Sequence, residues 1–229
     1  MPLNRFAFRA PTALAFAAEA SIPITGAHVS TIHRVRPATA ADVPALKSVI
    51  AAAFMADPVA DWVFRDDTAR PDHHLVFFGG FVDVTLATGR AETVDGHKGL
   101  TLWLDVDVDA PEPEDDGALA AAFEAGMDAE TLKRVALLDD LMTANHPHDR
   151  SHAYLPFIAV HPEHQGTGVG AALLRHRLAD LDAAGRPAYL EASCLRNAAL
   201  YERLGFERMP QTIDLPGGPS LYPMWRDPR

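Results

Sequence analysis

The sequence predicts a single α+β domain, and three observations predict it. Helical and strand periodicities recur in mixed order along one chain. No stretch between them is a linker long enough to separate two independent units. A chain of 229 residues that is 48% apolar can bury one sizeable core. Charge then narrows the function. Twenty Lys and Arg against 31 Asp and Glu leave a formal net charge of −11. That body lacks the cationic surface that releases phosphate counterions, so no nucleic-acid partner is expected, and cationic small molecules are favoured instead. The one cysteine, Cys194, cannot close an internal disulfide and makes no thiolate metal cage, which fits a reducing, cytoplasmic compartment. No stretch approaches the ~18–20 apolar residues that span a bilayer, so no membrane partner is expected either.

Each element follows in order. Residues 1–30 read as a flexible N-terminal extension, since Pro11, Pro23 and Gly26 interrupt any regular element. Arg5, Arg9 and the run Ala13 to Ala18 give it a weak likeness to a secretion signal, although the apolar centre is short and Ala-rich. The domain proper then covers 31–229. Ile32 to Arg36 reads as a short strand ended by Pro37. Thr39 with Asp42 is a capping-box variant opening a helix that carries Val43, Leu46, Val49, Ile50 and Phe54. Asp57-Pro58 breaks it, Val59 to Phe64 reads as one or two further turns, and Leu75 to Ala87 is an apolar helix despite Gly79-Gly80. Gly89 to Val94 and Gly99 to Leu104 are strands joined by the hairpin turn Asp95-Gly96. Asp105 to Gly117 holds seven acids and no base, and reads as a solvated connector. Its alternating aspartates resemble a calcium loop, but Ala110 stands where a glycine is needed. Ala118 to Ala144 supplies one or two helices. The histidines at 146, 148 and 152 read as loop residues bordering a cleft, with no metal site inferable from a Pro-containing loop.

From His152 onward the sequence carries chemistry. Tyr154 to Val160 is a strand in which Pro156 lacks a ladder donor, so the pairing there is interrupted or bulged. A polar turn leads into Gln165, Gly166, Thr167, Gly168, Val169 and Gly170, and Leu174, Leu178 and Leu181 continue at helical spacing until Gly185 and Pro187. A glycine-rich loop on a helix N-terminus presents unpaired N–H groups and the positive end of the helix dipole, which suits a phosphate or pyrophosphate. Gly166, Gly168 and Ala171 satisfy a dinucleotide fingerprint with Glu191 about 20 residues on. Only about 38 residues remain after Glu191, too few for that sheet, and no Gly-Lys-Ser or Gly-Lys-Thr supports a P-loop.

The order Gln165-x-x-Gly168-x-Gly170, helix, strand Ala188 to Ser193, Asn197, then Tyr201-Glu202-Arg203-Leu204-Gly205-Phe206 resembles the GNAT superfamily of N-acetyltransferases. His161 to Gly166, Pro187 to Ser193 and Arg196-Asn197 are most similar to the puromycin N-acetyltransferase branch. The resemblance implies a mixed central β-sheet flanked by helices on both faces, with two central strands splayed around the pantetheine arm of acetyl-CoA, the co-substrate, and no metal. It implies that Ile158, Ala159 and Val160 bond that arm through their backbone and polarise the thioester. It further implies that Gln165 to Gly170 hold the pyrophosphate and that Tyr201 protonates the departing thiolate. Asn197, one helical turn before Tyr201, is either a cofactor contact or an N-cap.

The base is read from the strand itself. Tyr189, Glu191 and Ser193 share one face, so Glu191 is a buried acid at the sheet centre and a candidate base or cation anchor. Cys194 lacks a specifiable His partner for covalent catalysis. Phe54, Trp62 and Phe64 read either as the acceptor wall or as core. The expected reaction is acetyl transfer to the primary amine of a small molecule by direct attack, with a second copy of the chain as a homodimer partner left open. A non-catalytic acetyl-CoA sensor or an inactive dimerisation partner are the alternatives.

Overall fold

A computed structural model of the protein describes residues 33–110 and 117–229, together with the backbone of residues 16–18. The secretion-signal reading and most of the extension 1–30 lie outside the described residues. The strands are β1 (Phe16–Ala18), β2 (Val35–Pro37), β3 (Arg90–Val94), β4 (Gly99–Val106), β5 (His152–Val160), β6 (Ala188–Ala192), β7 (Glu207–Arg208), β8 (Ile213–Asp214) and β9 (Ser220–Arg226). The helices are α1 (Val43–Ala53), α2 (Pro58–Val63), α3 (Arg70–Thr88), α4 (Ala118–Gly126), α5 (Ala129–Asn145), α6 (Val169–Ala183) and α7 (Leu195–Arg203). The sheet runs β2-β3-β4-β5-β6-β9-β7, with β1 added to β5 and β8 to β9. It is mixed: β5 and β6 are parallel, whereas the β3/β4, β4/β5 and β6/β9 pairs are antiparallel.

Helices cover both faces. On one, Leu46, Ile50 and Phe54, Phe77, Phe78 and Phe81 of α3, Phe123 of α4 and Leu138 of α5 pack on Leu100, Leu102, Tyr154, Phe157 and Tyr189. Phe54 and Phe78 stack with ring centroids 4.4 Å apart, and Phe157 meets both edge-on. On the other, Leu174, Leu178 and Leu181 of α6 and Tyr201 of α7, with Phe206 beyond it, pack on Trp103, Leu155, Ile158 and Leu190. Burying side chains of this size removes roughly 1.5–3 kcal/mol of apolar exposure each, so the two layers hold the sheet from both sides.

Several local expectations are corrected. Pro37 is the last residue of β2 rather than the residue after it, tolerated because β2 is the edge of the sheet. The α3 helix begins at Arg70, with Pro71 in its first turn, five residues before the apolar run. Gly80 faces α4, where a Cβ would meet the end of the Leu119 side chain and make it shift. The β4 strand continues through Asp105 and Val106, which shortens the acidic connector.

Candidate active site

The site begins with an irregularity in β5. Leu102 pairs with Phe157 and Leu104 with Tyr154, so β5 carries one more residue than β4 between these rungs. Pro156 lies inside that bulge, where a missing N–H costs no ladder bond. The extra residue also resets the alternation: Tyr154 and Phe157 face the α1–α5 layer, whereas Leu155 and Ile158 face α6 and α7. On its other edge β5 pairs with β6 only at Ala153/Ala188 and Tyr154/Tyr189. Beyond those rungs the strands part, and the parallel strand β1 pairs Phe16, Ala17 and Ala18 with Phe157, Ile158 and Ala159. The edge therefore accepts an extended chain at the backbone expected to hold the pantetheine arm.

The glycine-rich loop stands at the mouth of this gap. Ile158, Ala159 and Val160 are buried at the end of β5, and the Gln165 amide donates to the Val160 carbonyl at 3.2 Å. Gly166 and Gly168 have φ of 73° and 90°, which explains why glycine is needed there. Gly168 is the N-cap of α6, and Val169 and Gly170 form its first turn, so no capping side chain stands over the helix end. Thr167 Oγ1 donates to the His164 carbonyl at 2.6 Å, bracing the loop from outside.

Beyond β6, Asn197 and Tyr201 are both buried on α7. The N-cap of that helix is Cys194, so Asn197 is its third residue and the N-cap reading is overturned. The Asn197 amide instead donates to Ser193 Oγ at 3.2 Å, and Ser193 Oγ donates to Asp57 Oδ2 at 2.6 Å. Asp57 is the N-cap of α2, its Oδ1 accepting from the N–H groups of Val59 and Ala60. Burial pushes its carboxyl up to about 6 against these three stabilising bonds. This acid, a helix breaker by its local sequence, ties α2 to the end of β6. Tyr201 meets Phe206 edge-on at 5.9 Å in the second core layer.

Glu191 is 1% exposed, two residues past the last β5/β6 rung, on the face shared by Tyr189 and Ser193 as alternation requires. Its Oε2 accepts from the Tyr154 hydroxyl at 3.0 Å, while Oε1 has no hydrogen-bond partner and lies 3.8 Å from His146 Nδ1, which also has none. Burial first, and then the Glu191 charge, raises the pKa of both Tyr154 and Tyr189. The Asp139 carboxyl of α5 is pushed up to about 7 by burial and by Asp140.

The loop reading of the histidines is corrected here. His152 is the first residue of β5 and His146 follows α5 directly, and both are buried with their Nε2 atoms 3.1 Å apart. Only His148 is an exposed loop residue, near the Thr143 carbonyl. Alternation along β5 held the signal, since it puts His152 and Tyr154 on one face. Among the described residues no group of three His, Cys, Asp or Glu could hold a metal ion. Phe54 and Phe64 are core, while Trp62 borders an open cleft of about 650 Å³ with Arg65, Arg70 and Gly218.

Residues 134–208 match the acetyltransferase (GNAT) domain. A structure of histone acetyltransferase HPA2 and related acetyltransferase from Corynebacterium glutamicum is 28% identical, with a TM-score of 0.62 over 86% of this chain and 97% of that one. The apo form of an agmatine N-acetyltransferase variant shares the fold, with a TM-score of 0.55 and 14% identity over 85% and 99% of the two chains. The class that fold and domain define is an acyltransferase. Residues 134–208, the part that matches that domain, carry β5, α6, β6 and α7 of a mixed sheet with helices on both faces. No described helix is long and apolar enough to cross a membrane.

Proposed function

We propose that this protein moves an acetyl group from acetyl-CoA to the primary amine of a small molecule by direct attack, and that within the GNAT enzymes it is of the puromycin N-acetyltransferase kind. The observation that carries the reading is the gap left where β6 parts from β5 after Tyr154 and Tyr189, with an uncapped helix N-terminus at its mouth. The residues present fit the cofactor on two counts. The β5 edge already pairs with an extended segment, as a pantetheine arm requires, and the positive φ of Gly166 and Gly168 exposes backbone N–H groups where a pyrophosphate would lie.

Bound acetyl-CoA supplies an activated acyl thioester. The chain's own residues do the rest. Alternation along β5 turns the Ala159 N–H toward β4 and the Ile158 and Val160 N–H groups toward the gap, where they stabilise negative charge on the thioester carbonyl, an effect of roughly 3 kcal/mol per aligned donor. The loop Gln165, Gly166, Thr167, Gly168, Val169 and Gly170 holds the diphosphate by main-chain amides. Asn197 keeps the end of β6 and α7 in register through Ser193, and Tyr201 donates its phenolic proton to the departing thiolate. Glu191 supplies the buried carboxylate that draws a protonated amine to the fork of the strands.

A thiol-release assay of the purified protein over puromycin, polyamines, amino sugars and peptides tests this. Release of coenzyme A with a small amine supports the reading. Activity confined to peptide N-termini would overturn the small-molecule acceptor, and no acetyl-CoA binding in calorimetry would overturn acetyl transfer altogether.

A further inference from the structure

Resting on the acetyltransferase reading, we infer that His146 is a catalytic residue: the acceptor's ammonium is seated between Glu191 Oε1 and His146 Nδ1, and its proton passes to His146.

The argument starts from a carbonyl. His152 Nδ1 lies 2.7 Å from the Arg150 carbonyl, and a carbonyl only accepts, so Nδ1 of His152 carries a hydrogen. Burial holds the His152 imidazole down to about 4, so it is neutral at neutral pH and its Nε2 is a bare lone pair. That lone pair faces His146 Nε2 at 3.1 Å, a contact that requires the hydrogen to sit on His146 Nε2. In neutral His146 the remaining nitrogen, Nδ1, is therefore also an acceptor. It points at Glu191 Oε1, 3.8 Å away, and both side chains are at most 1% exposed.

With His146 in that neutral form, two acceptors face each other in a buried place and neither atom has a partner; the nearest protein donor is the Tyr189 hydroxyl, which interacts with the Glu191 carboxylate but is itself without a close hydrogen-bond partner. Such a pair is costly unless a proton donor is supplied. The other carboxylate oxygen is already satisfied by Tyr154, and the rings of Tyr154 and Tyr189 stand edge-on to His146 at 4.8 and 4.9 Å, which closes the place to bulky polar groups. A primary ammonium matches it: of its three N–H donors two can serve these acceptors, and it brings the positive charge that balances the carboxylate.

The proton step balances within the chain. One N–H bond of the ammonium breaks, the proton goes to His146 Nδ1, and the electron pair stays on the amine nitrogen for attack. The resulting imidazolium is held by the Glu191 carboxylate on one side and the His152 Nε2 lone pair on the other. Glu191 is then the anchor rather than the base, and His152 is a positioning residue that fixes the His146 tautomer.

Nitrogen-15 histidine spectra of the full chain at pH 7.5 test the tautomer, with n-butylamine as the probe and n-butanol as the uncharged control. The expected result is a His146 protonated only on Nε2, whose Nδ1 signal moves with butylamine and not with butanol. A protonated Nδ1 in the free protein, or no response to the amine, overturns the proposal. For any amine turned over in the thiol-release panel, His146→Leu should lower kcat about 100-fold while acetyl-CoA affinity stays within about twofold. His146→Asn, which keeps an acceptor near the Nδ1 position, should recover part of the loss. Unchanged kcat in His146→Leu overturns the proposal, and if that variant fails to fold the wild-type spectra decide. Acetyl-CoA binding is a separate arm: its failure sinks the acetyltransferase reading, while the tautomer and amine response still decide the role of His146.

Discussion

Asp57 offers the sharpest test of how the acceptor-side helices are fastened to the sheet. Its carboxylate is 3% exposed and receives three hydrogen bonds, from two N-terminal N–H groups of α2 and from Ser193, yet burial still raises its pKa to about 6. An unfolded aspartate titrates near 3.9. Because the folded pKa is the higher one, the folded state binds the extra proton between these values. The contribution to stability is fully present below about 3.9 and is lost as pH rises through about 6. Integrating from pH 7.5 down to pH 5 gives about 1 kcal/mol in favour of the acidic condition. His74 and His152 act in the opposite sense, since burial lowers both to about 4, and stability is lost as pH falls from about 6.5 toward 4. The whole-protein profile mixes these contributions, so the informative quantity is the difference between wild type and Asp57→Asn. Asparagine keeps an oxygen for the helix cap and removes the titration. Urea unfolding of both proteins at pH 7.5 and 5.0 should show wild type gaining about 1 kcal/mol on the variant at the lower pH. Parallel profiles, with the gap constant to within about 0.3 kcal/mol, would refute the buried-carboxylate argument.

Three further outcomes follow from the site. Tyr201→Phe should lower kcat about 100-fold with acetyl-CoA affinity unchanged in calorimetry, as expected for loss of a proton donor that takes no part in cofactor binding. Gly168→Ala adds a Cβ with no atom within 4 Å but places it at φ +90°, so the cost is backbone strain of roughly 1–2 kcal/mol. It should weaken acetyl-CoA binding about tenfold and lower the unfolding temperature by roughly 2–8 °C, and an unchanged Kd would take the loop out of cofactor binding. Shortening the chain to begin at residue 31 removes the strand that pairs with Phe157, Ile158 and Ala159. Acetyl-CoA should then bind about tenfold more tightly, the equivalent of one or two net backbone hydrogen bonds, and equal affinity would mean that strand and cofactor do not compete.

Which parts of this site were legible in the sequence depends on how far each relation reaches along the chain. The run from β5 through α7 was readable because its signals are local: alternation along Ala188 to Ala192, glycines where φ must be positive, leucines at helical spacing on α6. Even the β5 irregularity had a local mark, since a proline in an otherwise buried strand lacks a ladder donor and points to interrupted pairing. The last strand carries the same mark. Pro223 sits opposite Glu191 in β9, between two neighbours rather than at an edge; the β7 ladder ends one residue before it, at Arg208/Met224, and its carbonyl accepts from the Met209 N–H at 2.8 Å. The Asp57 to Ser193 bond joins residues 136 apart, and no local pattern encodes it.

The histidines lie between these extremes. His152 was within reach, because period two along β5 places it beside Tyr154 on the face of Glu191. His146 was not, since its position depends on where α5 ends relative to β6, a tertiary fact. The consequence is chemical. Alternation alone finds the buried acid and so assigns it the proton, whereas the acid with its neighbours assigns it the charge and leaves the proton to the imidazole. The Arg150 carbonyl, through His152, decides between the two, because it fixes which nitrogen of His146 is free to receive a proton.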